Sequence, residues 1–377
     1  MTRSAANVDS FDIVASIPAN DLSACVNQVL EALQHQYPDA DLPSADWVLG
    51  ARARELGIRP KGQQSANGSC RLLACSDGWL AVNLARGSDW ELLGAWLAAD
   101  GKVTDWAGLT AALAHRSGPA LLSRGREMGL PLAFVQRPAS AGAEAQPQMQ
   151  FHDVFQGDSK YLQCSSLQGA KVVDLSALWA GPLCAHLLHA CGALVTKVSS
   201  SQRPDGAAQG SPMLYQRLHA GHQHRVLDFS EPNQLTVLAE MLREADVVIE
   251  ASRPRGLQGL GLDRETLAVV KPQIWLSLTA HGRNAPNGQW VGFGDDVAVT
   301  ADLLHWTDED RPEFIGDAIA DPLSGTFAAL AVAQAVSQGR SGLLDLSMAA
   351  MAGQYRRKVL ESGAALVCPL RVPSRAD

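Results

Sequence analysis

The sequence predicts an α/β protein in which a doubly wound, mostly parallel sheet follows a smaller α+β domain. From residue 171 onward, short apolar runs rich in Val, Ile and Leu alternate with helical segments, as in strands that crossover helices bury on both faces. Earlier in the chain, two apolar runs flank Ser76-Asp77-Gly78, and an Asp-Gly pair in that setting is typical of an antiparallel hairpin. We therefore expect a small domain over 1–137, a linker over 138–165 and a large domain over 166–377.

Each predicted helix and strand follows from the local pattern of apolar and turn-forming residues. Apolar residues at helical spacing predict helices, and Pro in a first turn or Asp before it marks where a helix begins. In the small domain the predicted helices cover 22–37 (with Asp21 as N-cap), 45–56, 89–98, 106–115 and 119–128, with a short strand over 129–135. In the large domain the predicted strands cover 171–177, 193–199, 224–230, 245–252, 274–282 and 342–349, and the helices 181–191, 232–244, 263–270 and 321–336. The linker over 138–165 contains Pro, Ala, Gly and Gln without apolar periodicity.

Composition narrows the class of protein. The 377 residues suffice for two domains with a large core, and 46% hydrophobic with 19% charged residues is ordinary for a soluble globular protein. A net charge of −8 argues against nucleic-acid or membrane-surface binding. The seven Cys form no CxxC pair, which argues against a zinc site and favours free thiols in a reducing cytoplasm. The N-terminus does not resemble a signal peptide, and no apolar run approaches the roughly 20 residues of a membrane span.

Cations follow two of the predicted strands. Lys197 closes the second strand, and Arg203 lies in the loop after it. Arg253 and Arg255 follow the fourth strand. Ligands of open α/β sheets bind outside the carboxyl ends of the strands, and arginines there suit phosphate groups. A single Arg most often lies on the solvated surface, but four cations after the ends of strands favour an anionic ligand.

The turn after the first strand of the large domain reads SALWAGP, residues 176–182. A helix beginning there would offer free N–H groups to a phosphate, although the same letters also fit a plain helix start. GxGxxG is absent, and Trp179 stands where a dinucleotide would require glycine. The segment GLQGLG at 256–261 follows no strand directly. An NAD-dependent dehydrogenase is therefore disfavoured.

Acidic residues supply a candidate nucleophile. Asp321 precedes Pro322 at a predicted helix start, where it would act as an N-cap or as a carboxylate nucleophile stabilised by the helix dipole. Asp295 and Asp296 fit a solvated turn or a second acidic group. The histidines of HAGHQH (219–224) lack carboxylates at metal-ligand spacing, so we expect no metal.

Several ordered motifs resemble those of the class III CoA-transferase family, the CaiB/BaiF type that also contains the α-methylacyl-CoA racemases. They are VVDLSALWAGPLCAHLLHACGALVTKVSS, ADVVIEASRPRGLQGLGLD, GFGDDVAVTADLL and IGDAIADPLSGTFAALAVAQAV, and the resemblance spans about 172–353. The resemblance implies a Rossmann-like large domain, an acyl-CoA and a carboxylic acid as substrates, and commonly an interlocked homodimer. It implies neither NAD nor a metal.

The resemblance also assigns residues. The family's catalytic aspartate precedes a Gly by four positions, which selects Asp321 with Gly325 and makes Asp317 the less favoured register. In the transferases this aspartate forms an acyl anhydride and then a CoA thioester. The arginines of the two RP pairs, Arg253 and Arg203, correspond to residues that hold CoA phosphates. The remaining residues predicted to contact CoA are Lys197, Trp179, Ala180 and Gly181.

Departures from the family pattern leave alternatives open. Racemases carry His-Asp where this chain has Asp295-Asp296, and loss of the imidazole favours transfer over two-base proton exchange. The stretch 69–97, continuing to 128–135, resembles the family's small domain but precedes the large one. The order looks permuted, and the family's glycine-rich loop is not apparent. The predicted activity is acyl-CoA:carboxylate CoA transfer, and the alternatives are a racemase or isomerase and a non-catalytic CoA-binding subunit.

Overall fold

The computed structural model describes residues 22–98, 103–136, 154–267 and 271–361. The helices are α1 (Leu22–Gln36), α2 (Ala45–Leu56), α3 (Gly87–Leu97), α4 (Trp106–Leu113), α5 (Gly118–Glu127), α6 (Ala180–Ala190), α7 (Ala207–Gly210), α8 (Pro212–Leu218), α9 (Pro232–Glu244), α10 (Arg255–Gln258), α11 (Gly294–Thr300), α12 (Ala320–Ser337) and α13 (Met348–Glu361). The strands are β1 (Cys70–Cys75), β2 (Gly78–Asn83), β3 (Leu132–Val135), β4 (Val154–Tyr161), β5 (Lys171–Asp174), β6 (Leu194–Ser200), β7 (Gln223–Leu227), β8 (Val247–Glu250), β9 (Ile274–Thr279), β10 (Leu304–Trp306), β11 (Pro312–Phe314) and β12 (Arg340–Ser347).

The large domain is built on a seven-stranded sheet in the order β4-β12-β9-β8-β5-β6-β7. Six strands run parallel and β4 pairs antiparallel to β12 at one edge. Successive side chains of a strand point to opposite faces. Val172 accordingly joins the core that contains α6 and α12, whereas Val173 joins the core beneath α9. The predicted doubly wound sheet is confirmed.

The small domain contains a three-stranded antiparallel sheet in the order β1-β2-β3. One face, which includes Leu80 and Leu132, is covered by α3, α4 and α5. The other face, which includes Ala81, packs against Val299 of α11 and Phe314 of β11. This second apolar interface fixes the small sheet against the large domain and brings the residues after β2 next to the start of α11.

Two predicted boundaries differ from the structure. Helices α1 and α2 bury their apolar faces in the large-domain core with α6 and α12, so they do not belong to the small domain. Periodicity shows that a helix has an apolar face but does not identify its partner. The described part of the predicted linker contains β4, which closes the edge of the large sheet. The division of the chain into domains otherwise stays a prediction.

Most predicted elements lie within a few residues of the observed ones, and α2 and α9 have the predicted bounds. The helix predicted over 263–270 is wrong for its described part, because 263–267 forms turns, and 268–270 lies outside the described residues. The predicted N-cap Asp21 also lies outside them. The cysteines that the structure describes are free thiols. No helix in the described ranges is both long enough and apolar enough to cross a membrane.

Candidate active site

The site lies where the β5–α6 turn meets the first turn of α12. Asp321 is the second residue of α12, after Ala320, and Ile319 holds the N-cap position. Asp321 is therefore not the N-cap that its place before Pro322 predicts. Gly325, one turn further on, leaves no room for a Cβ against the Ala180 carbonyl, so α12 and α6 cross in close contact. The close crossing brings the start of α6 next to the half-buried Asp321 side chain.

The backbone around Asp321 is held in a tight turn. Ala318 has a φ of 44°, in the left-handed region that L side chains rarely adopt. Its N–H donates to Asp295 Oδ1 at 2.9 Å, and its carbonyl accepts from the Asp321 N–H at 2.8 Å. Gly294 faces this turn so closely that a Cβ would collide with the Asp321 carboxylate and the Ala318 carbonyl. Asp295 and Gly294 together therefore fix where the Asp321 carboxylate lies.

One arginine from the N-terminal helices reaches this site. Arg52 of α2 forms a bidentate ion pair with the buried Asp317, with Nε to Oδ2 at 2.7 Å. Its guanidinium also lies 5.0 Å from the centroid of the buried Trp179 ring. Arg52 is thus fixed by a carboxylate on one side and an aromatic face on the other.

The ionisation of the nucleophile candidate is tuned by these neighbours. Burial raises the pKa of Asp321 to about 6, while Arg52 and the backbone N–H groups of Ala180 and Gly294 oppose the rise and Asp317 adds to it. Burial raises the pKa of Asp295 to about 7, and the neighbouring Asp317 raises it further. At pH 7 Asp321 is therefore mostly an anion, whereas Asp295 is about half protonated.

Asp296 connects the two domains. Its Oδ1 accepts from Asn83 Nδ2 at 2.8 Å and from the Phe293 N–H at 3.0 Å. Burial raises its pKa to about 7, although the Asn83 hydrogen bond lowers it. Both Asp295 and Asp296 are buried, so the prediction that they form a solvated turn is wrong.

Arginines converge at the carboxyl edge of the sheet. Burial lowers the pKa of the Arg253 guanidinium, and three neighbouring guanidinium groups lower it further; they belong to Arg255, Arg86 and Arg203. Arg253 Nη1 donates to the Gln289 carbonyl at 3.4 Å. Arg203 is exposed and Arg253 is partly exposed. The predicted cation group therefore exists, and Arg86 of the small domain joins it.

Lys197 does not belong to that group. Its side chain is 1% exposed, its ammonium donates to the Ser176 carbonyl, and it lies 3.5 Å from Asp174 Oδ2 and 3.8 Å from Asp205 Oδ2. The predicted contact between Lys197 and a CoA phosphate is wrong, because the ammonium is enclosed by its own ion pairs. Lys197 instead fixes the β5–α6 turn.

The three residues of the predicted CoA-lining turn are buried. The Trp179 ring faces Arg52, and the Ala180 N–H faces Asp321. Gly181 approaches Ser176 so closely that a Cβ would not fit. Whether this turn contacts CoA stays a prediction. Within the described ranges, no group of three His, Cys, Asp or Glu side chains is arranged to hold a metal ion.

The family follows from comparison with known proteins. The family model described as CoA-transferase family III matches residues 167–357. This chain belongs to that family. The matched segment contains the β5–α6 turn, Arg203, Arg253 and Asp321, whereas Arg52, Asn83 and Arg86 precede it. The family thus accounts for the large-domain half of the site, and the other half comes from the chain before residue 167.

Individual relatives match about half of this chain. The chain is 30% identical over 213 residues to the succinate–glutarate CoA-transferase of Agrobacterium fabrum, which covers 50% of this chain and 53% of that protein. It is 26% identical over 194 residues to the acetyl-CoA:oxalate CoA-transferase of Acetobacter aceti, covering 48% and 50%. A CaiB/BaiF family structure from Brucella suis aligns with 26% identity and a TM-score of 0.47, covering 54% and 59%. The chain spans about half the length of the curated relatives it matches.

Sequence reasoning missed the site residues that come from the N-terminal region. Arg52 lies three to four positions after Val48 and Leu49, on the helix face that is otherwise buried. A charge on an apolar face was the available signal for it. Asn83 and Arg86 carry no such signal. Asn83 ends β2 and Arg86 is the N-cap of α3, and polar residues are ordinary in such connecting positions.

Proposed function

We propose that this protein is an acyl-CoA:carboxylate CoA-transferase in which Asp321 is the nucleophile. The single observation that supports the proposal best is the environment of the Asp321 carboxylate. It lies at the start of α12, faces the N–H groups of Ala180 and Gly294, and has an arginine nearby, which together keep a desolvated carboxylate ionised at neutral pH.

The chemistry proceeds by exchange at two acyl centres. The Asp321 carboxylate attacks the thioester carbonyl of the donor, which forms a mixed anhydride and releases the CoA thiolate. The thiolate then attacks the Asp321 carbonyl carbon, which forms an aspartyl-CoA thioester and releases the donor acid. The acceptor carboxylate attacks this thioester to give a second anhydride and free thiolate. Attack of the thiolate on the acceptor carbonyl yields the new acyl-CoA and restores Asp321.

Residues around Asp321 also have roles in stabilising the intermediates and in binding the substrate. The N–H groups of Ala180 and Gly294 are close enough to Asp321 to stabilise the oxyanion that forms when its carbonyl is attacked. We assign the CoA phosphates to Arg253 and Arg203, and the clustering of guanidinium groups around Arg253 supports this assignment. A homodimer and a cytoplasmic location stay predictions from the resemblance and the composition.

The proposal is tested by trapping the enzyme-bound acyl group. Wild-type protein, Asp321→Asn and Asp317→Asn are incubated with a panel of acyl-CoA thioesters and treated with hydroxylamine or borohydride before peptide mass spectrometry. We expect modification at Asp321 in wild type and in Asp317→Asn, none in Asp321→Asn, and a loss of transfer of at least about 10³-fold in Asp321→Asn.

Modification that persists in Asp321→Asn would assign the nucleophile elsewhere and overturn the proposal. Measurable CoA binding with no trapped acyl group in any variant would indicate the non-catalytic alternative. Wash-in of solvent deuterium at the α-carbon of an acyl-CoA without any acceptor acid would indicate the racemase alternative.

A further inference from the structure

One strand of the small domain ends directly against the start of α11. Ala81 and Asn83 lie two residues apart in β2, so both side chains point to the face of the small sheet that packs on α11. Asn83 is 1% exposed, and its Nδ2 donates to Asp296 Oδ1 at 2.8 Å. Val299, nearly one turn further along α11, belongs to the same apolar interface. Asn83 therefore adds a buried polar contact to this interface.

The start of α11 connects this contact to the nucleophile. Asp296 comes two residues after Gly294, whose N–H faces the Asp321 carboxylate. Asp296 Oδ1 also accepts from the N–H of Phe293, the residue directly before Gly294, at 3.0 Å. Gly294 lies so close to Asp321 that a Cβ would collide with the carboxylate. A displacement of the Phe293–Gly294 peptide would therefore change the hydrogen bond that Asp321 receives.

Asn83 keeps the buried Asp296 carboxylate in place as an acceptor. The charged and titratable groups that face this carboxylate are Arg126 of α5, Asp295 and the Cys70 thiol. The Asn83 hydrogen bond lowers the pKa of Asp296 against the effect of burial. Without that donor, the carboxylate would either take up a proton or turn toward the Arg126 guanidinium. Either change would weaken its hold on the first residues of α11.

We propose that Asn83 is a positioning residue for the transfer reaction, which holds the Gly294 N–H against the Asp321 carboxylate through the side chain of Asp296. The inference rests on the proposed function, in which that N–H stabilises the oxyanion formed at Asp321. Asn83 precedes residues 167–357, the segment that matches the family model. The small domain of this chain thus takes part in forming the active site without touching the reacting atoms.

The test replaces the amide by an apolar group of similar shape. Asn83→Leu is expected to lower kcat for transfer by about 10- to 100-fold, because a displaced oxyanion donor stabilises the transition state less. The KM for the acyl-CoA should change less than about threefold, since the exposed arginines are untouched. The acidic limb of the pH–rate profile should move to higher pH, because the Gly294 N–H lowers the pKa of Asp321. A change of charge on Asp296 alone would move the limb the opposite way, since a neutralised carboxylate nearby lowers the pKa of Asp321.

Two further variants separate this hydrogen bond from a general loosening of the interface. Val299→Ala removes apolar contact from the same interface and is expected to lower the Tm without moving the pH–rate profile. Asn83→Asp combined with Asp296→Asn exchanges donor and acceptor, while the amide oxygen at position 296 can still accept from the Phe293 N–H. This pair should recover kcat to within about fivefold of wild type. Equal losses of kcat in Val299→Ala and Asn83→Leu would overturn the inference, as would an exchanged pair that is no more active than Asn83→Leu.

A measurement without turnover separates this inference from the proposed function. Carbon-13 NMR of protein labelled at the Asp carboxyl carbons, with Asp321→Asn for assignment, follows the ionisation of Asp321 directly. The pKa of Asp321 should be higher in Asn83→Leu than in wild type and unchanged in Val299→Ala. If transfer fails in wild type but this shift is found, the positioning stands and the proposed reaction falls. An equal Asp321 pKa in Asn83→Leu and wild type would overturn the inference even where transfer is found. If Asn83→Leu does not fold, Asn83→Ser, whose side chain is too short to keep the contact with Asp296, takes its place with the same expectation.

Discussion

Two groups of arginine meet at this site and differ in how they are held. Arg203 and Arg253 follow strands of the large sheet, are wholly or partly exposed, and stand beside other guanidinium groups. Arg52 and Arg126 come from helices that precede the large sheet in the chain, and each is stacked on an aromatic ring. Exposed, mutually repelling cations favour a polyanionic ligand. Arg52 and Arg126 instead interact with charged groups inside the protein.

The two groups of arginine should therefore differ in role, the exposed group in CoA binding and the other in the ionisation of Asp321. Neutralising an exposed arginine should weaken CoA binding with little effect on the ionisation of Asp321. Neutralising Arg52 should change the pH profile with little effect on the salt dependence of CoA binding. Lys197 tests the boundary between the groups, because its sequence position resembles the first and its surroundings resemble the second.

The largest effect is expected for Lys197→Met. Removing the ammonium leaves Asp174 and Asp205 facing each other with no cation between them, which should cost about 3–5 kcal/mol of the free energy of unfolding. Urea denaturation measures this loss. Lys171→Met is the matched control, because Lys171 forms an exposed pair with Glu244 and its loss should change stability by less than about 1 kcal/mol. Unchanged stability with weakened CoA binding would return Lys197 to the exposed group.

Arg253→Gln should raise the Kd of CoA by about 10- to 100-fold, since a charge-assisted contact contributes roughly 1.5–3 kcal/mol. The dependence of Kd on KCl should become shallower, because one fewer cation faces the phosphates. Isothermal titration calorimetry at several salt concentrations measures both. Arg311→Gln serves as the control, since Arg311 is paired with Glu309 on the β10–β11 turn. Equal affinity in Arg253→Gln and wild type would remove Arg253 from the CoA site.

Arg52→Met should reduce transfer at pH 7 by about tenfold, because loss of the nearby cation raises the pKa of Asp321 and lowers its ionised fraction. Activity should recover above about pH 8, so the acidic limb of the pH–rate profile moves upward. Arg52→Met/Asp317→Asn removes the opposing charges together, and its profile should return toward that of wild type. Arg54→Met changes an exposed arginine of the same helix and should leave the profile unmoved. A profile that does not move in Arg52→Met contradicts this role.

The large domain could be predicted well from the sequence, because strands that are buried on both faces are apolar along their whole length. The motif containing Asp321 and Gly325 also located the nucleophile candidate, because both residues lie in the first turns of one helix and their spacing can be recognised in the sequence. Asn83 and Arg126 could not be predicted, because their positions depend on how the second face of the small sheet packs on α11 and β11. Lys197 was predicted to contact CoA because its position in the sequence does not show what surrounds its side chain. A strand-end lysine looks the same in sequence whether it faces solvent or the carboxylates of two other turns.

The smallest effect concerns stability rather than rate. The pKa of Asp295 is raised to about 7 in the folded protein, above the value near 4 expected when unfolded, so between these pH values the folded state binds more protons. Stability from this group is therefore present below about pH 4 and is lost as the pH rises through 7. Asp295→Asn removes that loss while its amide oxygen still accepts from the Ala318 N–H. We expect the Tm of Asp295→Asn to exceed that of wild type by a few degrees at pH 8 and to approach it at pH 5. Asp308→Asn, in an exposed turn, should show no such trend. A gain of equal size at both pH values would mean that the benefit comes from packing and not from the buried charge beside Asp321.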